Sequence, residues 1–270
     1  MADSAIFGLI RPAGKRRPIL VSAPHVGTEI PASLGVHFDP KSTAALEDTD
    51  WHVHELYRFC IDLGITLIHA HFSRYIVDLN RPIDGHQLYQ DQRQQTQVVP
   101  LTNFAGQALY RPGKEPEKIQ REQRIQTYYR PYHDAIAGEL KLLAQGGREV
   151  VLFDAHSIRR HVPSITAEPF PDLIIGDRDG TSAGPHVTAA LRNSLGKSPY
   201  EVSYNHPFKG GQITRFFGQP ASGVHAVQLE MSQDLYLSEG SHELDALKVG
   251  RLQPVLADAL LALVRAVETP

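Results

Sequence analysis

The sequence is short of cysteine, of net positive charge and of long hydrophobic runs. Cys60 is the only cysteine among 270 residues, which excludes an internal disulfide framework and a structural zinc site built on cysteines. The formal net charge is -3, whereas general nucleic-acid binders carry net positive charge. No apolar run approaches the ~20 residues that span a bilayer, and the N-terminal stretch has the wrong order of charge and apolar core for a signal peptide. We therefore expect a soluble cytoplasmic protein that binds neither nucleic acid nor membrane.

Histidine, in contrast, is plentiful, with 14 residues in the chain. Its imidazole is the commonest metal ligand in proteins and a common acid or base near neutral pH. The excess of histidine raises the question of a metal site but does not locate one.

Strand-like and helix-like patterns alternate along the chain, and several of the strands are continuously apolar. Together they predict an α/β sandwich with helices on both faces of a mixed, largely parallel sheet. With no internal repeat or linker, we expect a single domain over 1–270. The predicted strands are 19–24, 65–69, 75–79, 149–156, 172–175, 200–204 and 224–231. The predicted helices are 51–63, 116–143, 185–195 and 243–267, the last interrupted at Pro254, and long loops are predicted over 80–116 and 209–223.

Polar side chains follow the predicted strands where each strand ends, and this edge is where open α/β sheets place their sites. The residues concerned are His25, Arg74, Asp78, Asn80, Arg81, Asp154, His156 and Glu230. Each can bind a metal, move a proton or grip a carboxylate, so the pattern predicts a catalytic or binding site at this edge.

His25 and His156 are the best candidate metal ligands because each directly follows an apolar strand. A catalytic zinc takes three protein ligands and leaves one position open. The third ligand is expected to be a carboxylate, with Asp50, Asp48 and Glu29 as the candidates. Asp48 and Asp50 also suit a helix cap before Trp51, and Asp154 suits a role in orienting a ligand imidazole.

Two further patterns compete with this interpretation. Residues 180–184 match G-x-S-x-G around Ser182, but four residues separate the serine turn from the preceding strand, unlike a nucleophile elbow. Lys209-Gly210-Gly211 is too short for a phosphate-binding loop and predicts a flexible turn or a flap over a site.

Seven segments resemble the N-formylglutamate amidohydrolase family, in the same order, from about residue 18 to 240. They are SAPHVGTEIP, DTDWHVHELY, SRYIVDLNRP, RPYHDAI, FDAHSIRRHVP, FKGGQITRFFG and GVHAVQLEMSQDLYL. The resemblance implies hydrolysis of N-formyl-L-glutamate to formate and L-glutamate in histidine degradation. It also implies the fold of zinc carboxypeptidases and aspartoacylases and one divalent metal ion, zinc by expectation.

The same resemblance suggests roles for individual residues. Arg74 is expected to polarise the scissile carbonyl, Asn80 and Arg81 to hold a substrate carboxylate, and Glu230 to act as general base. The relatives' His-x-x-Glu metal motif is broken, because Thr28 stands three residues after His25; Asp50 is therefore our choice of carboxylate ligand.

Arg215, in the glycine-rich segment, is the candidate for the second substrate carboxylate. The partner expected on this reading is a small carboxylate-bearing substrate. Three alternatives stay open: a hydrolase of another N-acyl amino acid, a Ser182-based amidase, and a non-catalytic binder of acidic metabolites.

Overall fold

A seven-stranded mixed sheet forms the centre of the computed structural model, which describes residues 5–89 and 96–268. The strands are β1 (Phe7–Ile10), β2 (Ile19–Ala23), β3 (Thr66–Ala70), β4 (Val150–Ile158), β5 (Leu173–Gly176), β6 (Val202–Tyr204) and β7 (Val224–Ser232). Their order across the sheet is β1-β3-β2-β4-β7-β5-β6. The central strands β3, β2, β4 and β7 run parallel, while β1 and β5 pair antiparallel with their inner neighbours.

The helices lie mostly between the strands in sequence. They are α1 (Ala32–Gly35), α2 (Pro40–Thr43), α3 (Val53–Leu56), α4 (Lys118–Arg124), α5 (Arg130–Leu143), α6 (Pro185–Leu195), α7 (Gln212–Phe217) and α8 (Ala246–Glu268). Short 3-10 helices cover Arg58–Ile61, Pro220–Ser222 and Gln233–Leu235, and a π-helical turn, Ile125–Tyr129, joins α4 to α5.

Alternation along the buried strands places helices on both faces of the sheet. Residues such as Val21 and Phe153 pack with α3, α6 and α8 on one face. Their strand neighbours, such as Leu20 and Leu152, pack with α5 and α7 on the other face. The expected three-layer α/β sandwich with a mixed, largely parallel sheet is therefore confirmed.

The predicted strand at 75–79 is wrong, because the chain turns there. Ile76 N donates to Ser73 O at 2.9 Å, and no ladder forms. Tyr75 and Ile76 are nevertheless buried, in a small cluster with Phe38 and Tyr110. The apolar pattern of residues 75–79 thus indicated burial correctly but did not indicate a strand. Conversely, β1 was not predicted, since four half-buried residues at a sheet edge give a weak pattern.

Three other segments also differ from expectation. The helix over 51–63 is replaced by α3 and a 3-10 turn, since His52 adopts a left-handed φ of 58° just before α3. The predicted loop at 209–223 contains α7. Finally, α8 runs through Pro254 without the predicted interruption. Leu252 and Leu256, on either side of this proline, are both fully or almost fully buried, and their packing outweighs one lost backbone hydrogen bond.

The loop prediction over 80–116 holds for the described parts of that range, while residues 90–95 lie outside the described residues. Within the two described ranges, every helix is too short or too polar to span a lipid bilayer.

Truncating the buried face of α8 should destabilise the protein. Leu260 is 0% exposed within the core, so Leu260→Ala should lower the free energy of unfolding by about 2–5 kcal/mol. Leu247, in the first turn of the same helix, is 76% exposed, and Leu247→Ala should change it by less than about 0.5 kcal/mol. Urea denaturation measures both; equal effects would contradict this assignment of the buried face.

Candidate active site

The site lies on the face of the sheet that packs with α5 and α7, at the point where the side chains of this face change from apolar to polar. Along β4, Val150 and Leu152 pack into the core with α5, and Asp154 and His156 continue the same face toward the end of the strand. The parallel register places His156 directly opposite Glu230 on β7. A strand's side chains alternate between faces, so this register aims both groups into one cavity.

Two histidines and one aspartate converge at this point. Asp50 Oδ2 lies 3.0 Å from His156 Nδ1 and 3.8 Å from His25 Nδ1. Asp50 N donates to His25 O at 3.0 Å, which ties the loop before α3 to the end of β2. Ligand atoms of the three residues all lie within 4.8 Å of one another, and all three residues are buried.

The outward nitrogen of each imidazole contacts a further carboxylate. His25 Nε2 lies 2.8 Å from Asp78 Oδ1, and His156 Nε2 lies 3.0 Å from Asp154 Oδ2. A carboxylate that accepts from Nε2–H leaves the Nδ1 lone pair directed at the centre of the group, which is the usual arrangement around metal-ligating histidines. The sequence suggested this role for Asp154 but not for Asp78.

The protonation states of these groups follow from burial and from their neighbours. Burial, reinforced by Arg74, lowers the pKa of His25 to about 4, so its ring is neutral. Burial also opposes protonation of His156, but the Asp154 and Asp50 carboxylates outweigh it and hold the pKa of His156 well above its usual range. The carboxylates therefore require a positive charge among the imidazoles.

This donor set fits a divalent cation. Two imidazole nitrogens and one carboxylate oxygen are a common protein ligand set for catalytic zinc. Asp154 Oδ1 is also buried without a hydrogen-bond partner among the described residues. This end of the sheet therefore holds an uncompensated carboxylate oxygen, which favours a cation nearby. His25, Asp50 and His156 are thus the residues that could hold the ion.

Glu230 faces the same cavity. Burial raises its pKa to about 8, with the positive charge of His156 opposing and Asp50 adding to the effect. Gln228 donates from Nε2 to Glu230 Oε2 at 3.3 Å and accepts from Gly211 N at 2.8 Å. Gln228 was not predicted, although its position two residues before Glu230 on the same strand face is a signal that could have found it.

Arg74 is buried and already engaged by the protein. It donates to Asp78 Oδ2 at 2.6 Å and to Asp48 O at 3.2 Å, and its guanidinium lies 4.7 Å from the Phe104 ring centroid. It lines the cavity and fixes the carboxylate that holds His25. Phe104 belongs to the long loop and was not singled out from the sequence.

Asn80 and Arg81 also line the cavity, of about 80 Å³. The Asn80 side chain bridges two segments: its Oδ1 accepts from Ile213 N at 2.7 Å, and its Nδ2 donates to Asp154 Oδ2 at 3.2 Å. Arg81 donates to Asn80 O at 3.2 Å and forms no ion pair with any described carboxylate. Of the two, Arg81 is the one with hydrogen-bonding capacity left for a ligand.

Arg215 is not brought into this cavity. It lines an adjoining cleft with Tyr89 and Phe216, and its Nε donates to Gly210 O at 2.9 Å. Leu88 and Tyr89 line both spaces, so the two are neighbours.

The other carboxylates considered as ligands point elsewhere. Asp48 Oδ2 accepts from Phe104 N at 2.8 Å, and its Oδ1 lies 3.6 Å from Arg159. Glu29 is exposed. The hydroxyl of Ser182 donates to Ala226 O at 2.8 Å, and Ser182 does not line the cavity.

A second group of potential ligands consists of Glu149, His186 and His225, with ligand atoms within 4.8 Å of one another. Gly184 N donates to His225 Nδ1 at 3.0 Å, which leaves the proton of the neutral ring on Nε2. This nitrogen is the one that faces Glu149, at 3.5 Å. A protonated Nε2 cannot bind a cation, so His225 is a poor ligand in this arrangement.

Comparison with known proteins decides the family. The family model of N-formylglutamate amidohydrolase matches residues 17–237. The chain belongs to this family. An N-formylglutamate deformylase of Pseudomonas aeruginosa is 41% identical over 225 residues, or 83% of this chain and 84% of that protein. A second, from Pseudomonas putida, is 37% identical over 227 residues, or 83% of each.

The likeness extends to the fold. The crystal structure of an N-formylglutamate amidohydrolase from Ralstonia eutropha JMP134 has a TM-score of 0.75 and 29% sequence identity, and the match covers 97% of each chain. As a member of the N-formylglutamate amidohydrolase family, the protein is a hydrolase that acts on an amide bond.

In this family member, a buried histidine on α5 fastens the segment that carries Asp78 and Asn80. His133 Nε2 lies 2.8 Å from Leu79 O, and its ring stacks on Tyr129 with centroids 4.0 Å apart. Burial disfavours the charged ring and lowers the pKa of His133 to about 4, although the hydrogen bond to Leu79 O opposes the shift.

The stability of the protein should therefore fall on mild acidification. A histidine with a folded-state pKa below its unfolded value of about 6.5 contributes its full stability above that pH. The contribution, up to about 3 kcal/mol, should be lost as the pH falls from about 6.5 to 4. In His133→Gln, the slope of unfolding free energy against pH should be smaller over that window, as measured by urea denaturation. His161→Gln, at an exposed position, should keep the wild-type slope; an unchanged slope in His133→Gln would contradict the argument.

Proposed function

We propose that the protein is a metal-dependent amidohydrolase that cleaves N-formyl-L-glutamate to formate and L-glutamate. The observation that carries the proposal is the convergence of His25, Asp50 and His156 beside Glu230, in a member of this family. Two relatives that cover most of the chain bear the name N-formylglutamate deformylase, which supports the choice of substrate. In the resembling family, the reaction is a late step of histidine degradation.

The proposed ligands of the ion are His25, Asp50 and His156, and zinc suits their donor atoms. A divalent cation there supplies Lewis-acid chemistry, since it polarises an amide carbonyl and lowers the pKa of water. Asp78 and Asp154 keep the two imidazoles oriented for this task.

Glu230 is the proposed general base. Its carboxylate takes a proton from the attacking water and returns it to the leaving amine of glutamate. Gln228 holds one carboxylate oxygen, Oε2, through its amide, so the acid keeps one orientation while it gains and loses the proton. The raised pKa of Glu230 suits a group that must hold a proton between the two steps.

Substrate recognition falls to the arginines, because a formyl group offers little to recognise. The proposed role of Arg74 is to stabilise negative charge on the carbonyl oxygen, and its ion pair with Asp78 keeps it in place. Arg81, with Asn80 beside it, is the proposed holder of one substrate carboxylate through a guanidinium-carboxylate contact. Arg215 is the proposed holder of the other, from the adjoining cleft.

Replacing the proposed base should abolish most of the activity. Glu230→Gln should lower kcat for formate release from N-formyl-L-glutamate by about 10²–10⁴-fold, because no carboxylate remains to move the proton. Glu243→Gln, at an exposed position, should match the wild type. Near wild-type turnover in Glu230→Gln would rule out Glu230 as the general base. If the wild-type enzyme preferred N-acetylaspartate or a neutral N-formyl amino acid to N-formyl-L-glutamate, the proposed substrate would be ruled out.

Metal content should separate the two histidine groups. Elemental analysis after zinc loading and dialysis should find about one zinc ion per chain, as expected for one site with three protein ligands. His156→Gln should lose the bound zinc together with activity, whereas His186→Gln should keep both. Full activity of chelator-treated protein with no residual metal would contradict metal dependence.

A further inference from the structure

A second and larger cleft, of about 1110 Å³, adjoins the cavity of the candidate site. Leu88 and Tyr89 line both spaces. Lys209 N donates to the Tyr89 hydroxyl at 3.1 Å, so the wall between the spaces is tied to the loop before α7. A ligand in the cavity that extends past Tyr89 enters this cleft.

Two guanidinium groups line the cleft without a carboxylate counter-ion among residues 5–89 and 96–268. Neither Arg178 nor Arg215 forms an ion pair with a carboxylate in the described part of the chain, whereas the third cation, Lys209, pairs with Asp179 at 2.8 Å. The Arg215 guanidinium lies 5.4 Å from the centroid of the Tyr89 ring. Burial lowers the pKa of Arg215; the Tyr89 hydroxyl opposes this shift, and the nearby charge of Arg178 adds to it. An anion between the two would relieve that repulsion.

Arg178 is held at this place by an unusual turn. Arg178 and Asp179 in this turn, and Asn205 beside it, adopt left-handed φ angles of 55°, 54° and 53°. This conformation costs free energy chiefly in Arg178, since Asp and Asn tolerate it. The turn follows β5, and Arg178 N donates to Lys209 O at 2.6 Å. A strained turn of this kind persists only where the surrounding structure enforces it.

The buried carboxylate of Asp177 enforces this turn. It is 0% exposed and accepts from Asn205 Nδ2 at 2.7 Å, Thr188 Oγ1 at 2.7 Å and Gly180 N at 2.8 Å. The same residue's backbone N–H donates to Asn205 Oδ1 at 3.0 Å. The protein therefore uses a fully buried charge to fix the turn that presents Arg178 to the cleft.

The cavity itself cannot neutralise a dicarboxylate with its described residues. Arg74 is engaged by Asp78 at 2.6 Å, and Arg81 is the remaining described arginine that lines it. N-formylglutamate has two carboxylates, so the second needs a cation from outside the cavity. Arg178 and Arg215, across the shared wall, are cations that pair with no carboxylate of the described residues.

We propose that Arg178, together with Arg215, forms the subsite for the side-chain carboxylate of the substrate and thereby selects N-formyl dicarboxylic amino acids. This inference rests on the proposed function, to which it adds a specificity-determining residue. Asp177 is a positioning residue that acts through the turn. The amide of N-formyl-L-glutamine has nearly the same shape as that carboxylate but no charge, so the subsite should discriminate against it.

The test compares kcat/KM for N-formyl-L-glutamate and N-formyl-L-glutamine in the metal-loaded enzyme. In Arg178→Gln, kcat/KM for the glutamate substrate should fall about tenfold or more, through KM, because a hydrogen bond to a charged group is lost. The value for the glutamine substrate should change less than about threefold, since it makes no charged contact there. Arg178→Lys should recover part of the loss. Because Arg178 is exposed, the Arg178→Gln variant should keep the wild-type thermal unfolding midpoint.

Lys209→Gln is the matched control, since it removes a positive charge from the same cleft at a residue already paired with Asp179. It should change either kcat/KM by less than about threefold, as expected for an exposed, screened charge. Equal losses on both substrates in Arg178→Gln, or no loss on either, would overturn the inference. Calorimetric binding of N-formyl-L-glutamate tests the subsite separately: weaker binding to Arg178→Gln supports it even if the wild type fails to turn over that substrate, and unchanged binding overturns it.

Discussion

The pairing of buried imidazoles with buried carboxylates is the constraint on which the candidate site depends. Asp50 stands between His25 and His156, and Asp78 and Asp154 close the outer side of each ring. An uncompensated ionised carboxylate inside a protein costs several kcal/mol, so these groups persist only with positive charge among them. Arg74, a protonated imidazole or a bound cation can supply that charge, and a cation does so while leaving both rings neutral.

The sheet delivers these groups because its parallel strands end along one edge. The pairing of β4 with β7 sets His156 against Glu230 and Asp154 against Gln228. A shift of one residue in this register would turn the polar set to the opposite face, where α6 and α8 pack. In the proposed mode of binding, substrate charge is met farther out, at Arg81 inside the cavity and at Arg178 and Arg215 beyond Tyr89.

How much the sequence predicts depends on whether its signals are local. Strand ends singled out His25, His156 and Glu230, which the structure brings to one cavity, and alternating elements predicted the layered fold. Asp50 was one of three candidates, because only the tertiary bond from its N–H to His25 O singles it out. The strand-face position of Gln228 is a local signal, but its hydrogen bond from Gly211 N is a tertiary contact that no local pattern encodes. The failures have the same cause: tertiary packing buries Tyr75 in a turn and carries α8 through Pro254, against local propensity.

The most direct test of the account is anomalous diffraction at the zinc edge from crystals of the zinc-loaded enzyme. We expect a strong peak beside His25 Nδ1, His156 Nδ1 and the Asp50 carboxylate, with the peak lost in Asp50→Asn. An ordered peak beside Glu149, His186 and His225 alone, or active crystals with no peak beside Asp50, would contradict it.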